Sequence, residues 1–135
     1  MISRGARQMN RQHVRVQANA KKVVLVDDDQ VFGKLMNKEA SGLGVQLDYF
    51  DSLESIGFIS KLKDYDIIIV DFMMEHINGI EIAAYIPSFF QDKRLVLISN
   101  THLETELNQP LPDYIDEFVH KKVGTKEIIN RALNH

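Results

Sequence analysis

A chain of 135 residues and 15.5 kDa has room for one domain with a real core, and 44% apolar with 26% charged residues is the mix of an ordinary globular protein. With no cysteine, disulfides, thiolate metal sites and cysteine nucleophiles are excluded, and no apolar run reaches the roughly 20 residues of a membrane span. The formal charge of −3 is uneven: residues up to Lys22 hold six of the 16 basic residues and none of the 19 acids, leaving ten basic against nineteen acidic beyond, a balance of −9. So acidic a body argues against direct nucleic-acid binding through its own surface.

Residues 1–20 are Arg-rich, acid-free and lack the apolar h-region of a secretory signal, so they read as a flexible basic N-terminal extension. Residues 21–135 then form the domain. The missing signal and the missing cysteines together suit a cytoplasmic location. No output domain is recognisable after the last predicted helix.

Val23–Val26 predicts a strand that runs into Asp27, Asp28 and Asp29. A helix follows from Val31 to about Ser41, with Val31, Leu35 and Met36 as its apolar spacing and Gly42 and Gly44 as its stop. Val45–Phe50 alternates like a less buried strand. Ser52 opens the next helix, whose inner stripe is Ile56, Phe58, Ile59 and Leu62. Ile67–Val70 is four consecutive β-branched residues, the pattern of a central parallel strand covered on both faces. A helix from Gly79 carries Pro87, which predicts a kink or an early end. Leu95–Ile98 is a fourth strand ending at Ser99. Thr101–Leu107 is a short helix stopped by Pro110 and Pro112, Ile115–Val119 the fifth strand, and Thr125 to Leu133 a closing helix.

Five strands alternating with helices predict an α/β, doubly wound, parallel sheet with helices on both faces. Such sheets bind ligands at the carboxyl ends of their strands. Those ends carry the Asp27–Asp29 run, Asp71, Ser99 and Lys121. Clustered carboxylates repel each other unless a cation joins them, and Mg2+ (or Mn2+) typically takes one or two carboxylates with waters and phosphate oxygens. A divalent ion, a lysine and a hydroxyl are what a transferring phosphoryl group needs, and a carboxylate can accept that group directly. Singly, each residue has a plainer role: Asp29 as a helix N-cap, Ser99 as a turn residue, His76, His102 and His120 as structural or exposed groups.

The stretches VVLVDDDQ, DIIIVDFMMEHINGIEI, LVLISN and FVHKK resemble the response-regulator receiver domain, from Lys22 to about Leu133. The resemblance implies a flavodoxin-like sheet of order 2-1-3-4-5, with Asp71 as phospho-acceptor and Asp27 and Asp28 as the acidic pair. It implies metal ligation by Asp28, Asp71 and the backbone carbonyl of Met73. Ser99 would be the switch hydroxyl, Phe118 the aromatic that turns with it, and Lys121 the bridging cation. Partners implied are a sensor histidine kinase or histidine phosphotransfer protein, and a downstream protein on the face of the fourth helix, fifth strand and fifth helix, with a possible phosphorylation-dependent dimer. Receivers are switches and are not usually classed as enzymes.

Four positions depart from the family's usual pattern: Met73, Glu75, Asn100 and Lys122. Lys122 replaces a proline, and a cis bond before it would cost roughly 3 kcal/mol. Met73 and Asn100 flank the path of an attacking water and predict slow loss of the phosphoryl group. Two alternatives remain open here: a pseudo-receiver that binds partners without phosphorylation, and a haloacid-dehalogenase-like phosphatase with Asp27 as nucleophile and Asp29 as acid/base.

Overall fold

The computed structural model describes residues 21–57, 59–72, 92–100 and 113–134. The helices expected from Gly79 and over Thr101–Leu107 lie outside the described residues, as do the extension 1–20, Phe58, Met73 and Glu75. The elements are β1 (Lys22–Val26), α1 (Gln30–Gly42), β2 (Gln46–Phe50), α2 (Leu53–Ile56), a 3-10 turn (Ile59–Asp64), β3 (Ile67–Asp71), β4 (Arg94–Ser99), β5 (Glu117–His120), a second 3-10 turn (Lys121–Val123) and α3 (Thr125–Leu133). The strands form one sheet of order β2-β1-β3-β4-β5, every pairing parallel. This is the expected order.

The apolar strands are buried on both faces because each face has its own core. Val23, Leu25, Ile67, Ile69, Val96, Ile98 and Val119 pack against Met36 and Ala40 of α1 and Ile128, Ile129 and Ala132 of α3. The residues between them, including Val24, Val26, Ile68, Val70, Leu95 and Leu97, pack against Ile56, Leu62, Tyr65 and Ile115. β2 stands at the edge, and Leu47 alone of its residues is buried. Arg94 locks the far end of α3: its Nε donates to Ala132 O at 3.0 Å, and its Nη2 to Arg131 O at 3.1 Å and to Glu117 at 2.9 Å. A cation on the last carbonyls of a short helix satisfies groups with no partner inside the helix.

Three expectations need correction. The inward stripe of α1 is Gly33, Met36 and Ala40, while Val31 and Leu35 stand 71% and 53% exposed. Asp29 sets this phase: its Oδ1 accepts from Phe32 N at 3.1 Å as the N-cap, starting the helix one residue early. The helix expected after Ser52 is one turn only. Gly57, at φ +91, ends it, and the chain continues as a 3-10 turn. The fifth strand begins at Glu117, because Asp116 intervenes: its N donates to Leu95 O at 2.9 Å, and its side chain accepts from Leu95 N at 2.7 Å. Lys122 follows Lys121 through a trans bond, and the His120 Nδ1 accepts from Lys122 N at 3.1 Å to shape the turn.

The corrected phase of α1 makes a stability prediction. Met36→Ala should cost about 2–5 kcal/mol in chemical denaturation, whereas Leu35→Ala should stay within about 0.5 kcal/mol of wild type. Equal losses would mean that the helix is rotated from the phase described.

Candidate functional site

Strand alternation delivers the charges to one place. Val23 and Leu25 of β1, Ile67 and Ile69 of β3, and Val119 of β5 all face the core shared with α1 and α3. One step of two further along each strand brings Asp27, Asp71 and Lys121 to the carboxyl end. There Lys121 Nζ lies 2.7 Å from Asp27 Oδ2 and 3.6 Å from Asp71 Oδ1. Asp28 joins them: oxygens of Asp27, Asp28 and Asp71 all lie within 4.8 Å of one another. Asp27 and Asp71 are buried and Asp28 is exposed, so the cluster opens to solvent on the Asp28 side.

Asp27 is held on every side. Its Oδ1 accepts from Asp29 N at 2.9 Å, its backbone N donates to Phe50 O at 3.1 Å, and its carbonyl accepts from the Tyr49 hydroxyl at 2.7 Å. Its Oδ2 meets Lys121 as a charge contact outside hydrogen-bond geometry. Tyr49 reaches that carbonyl only because Gly33 has no side chain, since a Cβ there would stand inside the Tyr49 ring. Lys121 is further covered by the Phe32 ring, whose centroid is 4.4 Å from Nζ. Ser99 is buried at the end of β4, and Phe118 is half-buried in β5, opposite Leu97 and packed on the opposite core.

These surroundings set the protonation of the acids. Burial pushes the Asp71 carboxyl up to about 7, the Asp27 charge adds to the rise, and Lys121 opposes it. Asp27 is also raised by burial, against the pull of Lys121 and the Asp29 N–H. Three carboxylates with one ammonium leave net negative charge in a poorly solvated place. An all-oxygen, carboxylate-rich donor set of this kind fits a hard divalent cation such as Mg2+. Among the predicted site residues, Asp27, Asp28, Asp71 and Lys121 are thus brought together, and Met73 lies outside the described residues. Gly33, Phe32 and Tyr49 were not foreseen. A glycine three residues before a buried methionine was the available signal for the first, and the other two had none.

Comparison with known proteins places the chain in a family. Residues 23–133 match the family model of the response regulator receiver domain, and the chain belongs to that family. It is a receiver domain of the two-component response-regulator type, with acidic residues clustered as in a phospho-accepting site. The chain is 25% identical over 118 residues to hybrid signal transduction histidine kinase G of Dictyostelium discoideum, covering 82% of this chain and 3% of that relative's length. The BeF3-activated receiver domain of DrrB superposes with a TM-score of 0.70 at 18% identity, covering 86% of this chain and 99% of that one. Response regulator TrrA from Thermotoga maritima, in complex with Mg2+-BeF, gives 0.69 at 24% identity, with 82% and 95% covered. A Burkholderia pseudomallei response regulator with a phosphorylated aspartic acid and a calcium ion gives 0.69 at 20% identity, with 84% and 66% covered. At these identities the likeness is one of fold. Among the described residues no helix is long and apolar enough to cross a membrane.

The raised Asp71 carboxyl makes folding stability depend on pH in a defined direction. With its folded value near 7 and an unfolded value near 3.9, the native state binds the extra proton, so stability falls as pH rises from about 4 through 7. In chelator, Asp71→Asn should show a shallower fall and exceed wild type at pH 8 by on the order of 2 kcal/mol. Parallel pH–stability curves for the two proteins would show that Asp71 is not held as described.

Proposed function

We propose that this chain accepts a phosphoryl group on Asp71 from a histidine kinase or histidine phosphotransfer protein, in a Mg2+-dependent reaction, and thereby switches a partner-binding surface. The observation that carries this is Asp71 itself, a buried carboxylate on a central strand, 3.6 Å from Lys121 and clustered with Asp27 and Asp28. One Asp71 oxygen forms the new bond to phosphorus as the phosphorus–nitrogen bond of the partner's phosphohistidine breaks, and the departing imidazole takes up a proton from solvent. Lys121 neutralises charge on a phosphoryl oxygen, and the Ser99 hydroxyl donates to another. Asp28, Asp71 and the backbone carbonyl of Met73 would hold Mg2+, which would supply charge neutralisation at the acceptor.

Asp27 serves as the fixed anchor that aims Lys121. As a phosphatase nucleophile it would have to leave full burial and its contact with Lys121, while Asp29 is committed to capping α1. Phe118 turns inward when Ser99 moves, passing the change to the face of the family's fourth helix, β5 and the closing helix, where a downstream protein or a second copy docks. Residues 21–135 are the receiver and 1–20 a basic extension, acting in the cytoplasm.

Treatment with acetyl phosphate and Mg2+ should place one phosphoryl group on the peptide holding Asp71, seen by mass spectrometry, and none on Asp71→Asn. Full labelling of Asp71→Asn, or of wild type in chelator, would overturn the reading. Exposed Asn100 follows Ser99, and Asn100→Ala should shorten the half-life of the phosphorylated protein several-fold by opening the path for water. An unchanged decay would remove Asn100 from that role.

A further inference from the structure

Lys121 is the one cation of the described cluster, and its side chain is only 6% exposed. An ammonium carries three N–H donors. Asp27 faces one side at 2.7 Å and Asp71 another at 3.6 Å. A further contact is an aromatic face: the Phe32 ring, centred 4.4 Å from Nζ. Phe32 is itself fixed in place, because its backbone N donates to the Asp29 cap and its ring packs against the core beneath α1.

A ring under a desolvated ammonium attracts it through the negative face of its π system. A phenyl face differs in kind from a third carboxylate or a carbonyl, since it holds the cation without adding charge and without the directional demand of a lone pair. Such a contact therefore does not compete with an incoming oxygen for the ammonium's N–H groups.

We propose that Phe32 is a positioning residue for Lys121, holding its ammonium toward Asp71 by a cation–π contact. The proposal rests on the reading of Asp71 as phospho-acceptor, because positioning matters only if a phosphoryl group arrives there. Phe32 touches no reacting atom and acts through Lys121. Its contribution is electrostatic, and ring shape alone would not reproduce it.

The test uses the full chain with Phe32 replaced by mono-, di- and trifluorophenylalanine, which weaken the π face at nearly constant shape. The readout is the rate of Asp71 labelling by acetyl phosphate with Mg2+, beside Phe32→Tyr and Phe32→Leu. The logarithm of the rate should fall stepwise with fluorination, Phe32→Tyr should stay close to wild type, and Phe32→Leu should lose about fivefold. In the donor-free protein, the Lys121 Hε resonances should lie upfield of other lysines through the ring current and return to the ordinary range in Phe32→Leu.

A flat fluorine series, or Phe32→Leu at the wild-type rate, would overturn the proposal. So would Lys121 resonances that Phe32→Leu leaves unmoved. Absence of any label on wild-type Asp71 would instead overturn the proposed function, and the NMR comparison, which needs no donor, would still decide whether Phe32 holds Lys121.

Discussion

The contact between Lys121 and Asp27 spans the width of the site. In the order β2-β1-β3-β4-β5, the end of β5 and the end of β1 are separated by β4 and β3, three strand spacings of about 4.8 Å. Neither side chain crosses that gap alone: Lys121 and Asp27 reach toward each other, and the ammonium they share comes within 3.6 Å of Asp71 at the end of β3. Everything nearby works to hold this bridge at both feet. Asp27 is fixed by the Asp29 N–H, by Phe50 and by Tyr49. Lys121 is fixed by the turn that His120 shapes and by the Phe32 ring.

Such a bridge does not exist for stability. Burying charge costs several kcal/mol per ion, and pairing often does no better than break even. Here the pairing is also unbalanced, one ammonium among three carboxylates. The two large apolar cores on either face of the sheet supply what the site takes away. The upward push on Asp71 and Asp27 has the same origin, since burial is its largest cause in both. A divalent cation would relieve it, which links the energetic weakness of the site to its chemistry.

Much of this was legible in the order of residues. Ile67–Val70 fitted a doubly covered strand, and the acids at the strand ends pointed to the site because parallel topology collects those ends together. The closing helix appeared with its predicted bounds, Thr125–Leu133. What escaped were features of phase and of distant pairing. Val31 and Leu35 looked like the buried stripe of α1 because leucine and valine outweigh a glycine in any apolar count. The true inward face follows from Gly33 letting Tyr49 come close, a contact between residues 16 apart. The break at Gly57 was hidden in an apolar stretch, and Asp116 standing in for a rung of the ladder has no local signature. The Phe32 contact with Lys121 joins residues 89 positions apart, beyond the reach of any periodicity.

The shared odd-numbered phase of Asp27, Asp71 and Lys121 has a bearing on how the sheet forms. In a strand, a slip of one residue turns every side chain to the opposite face. For an apolar run such as Ile67–Val70, covered on both faces, such a slip would barely change hydrophobic burial, so apolar packing alone gives little protection against mispairing. The charges break that degeneracy. A slipped β3 or β5 would leave Asp71 or the Lys121 ammonium without its counterpart, at the steep cost of an uncompensated buried charge. The cluster therefore doubles as a proofreading mark for strand alignment, written in the same residues that carry the chemistry.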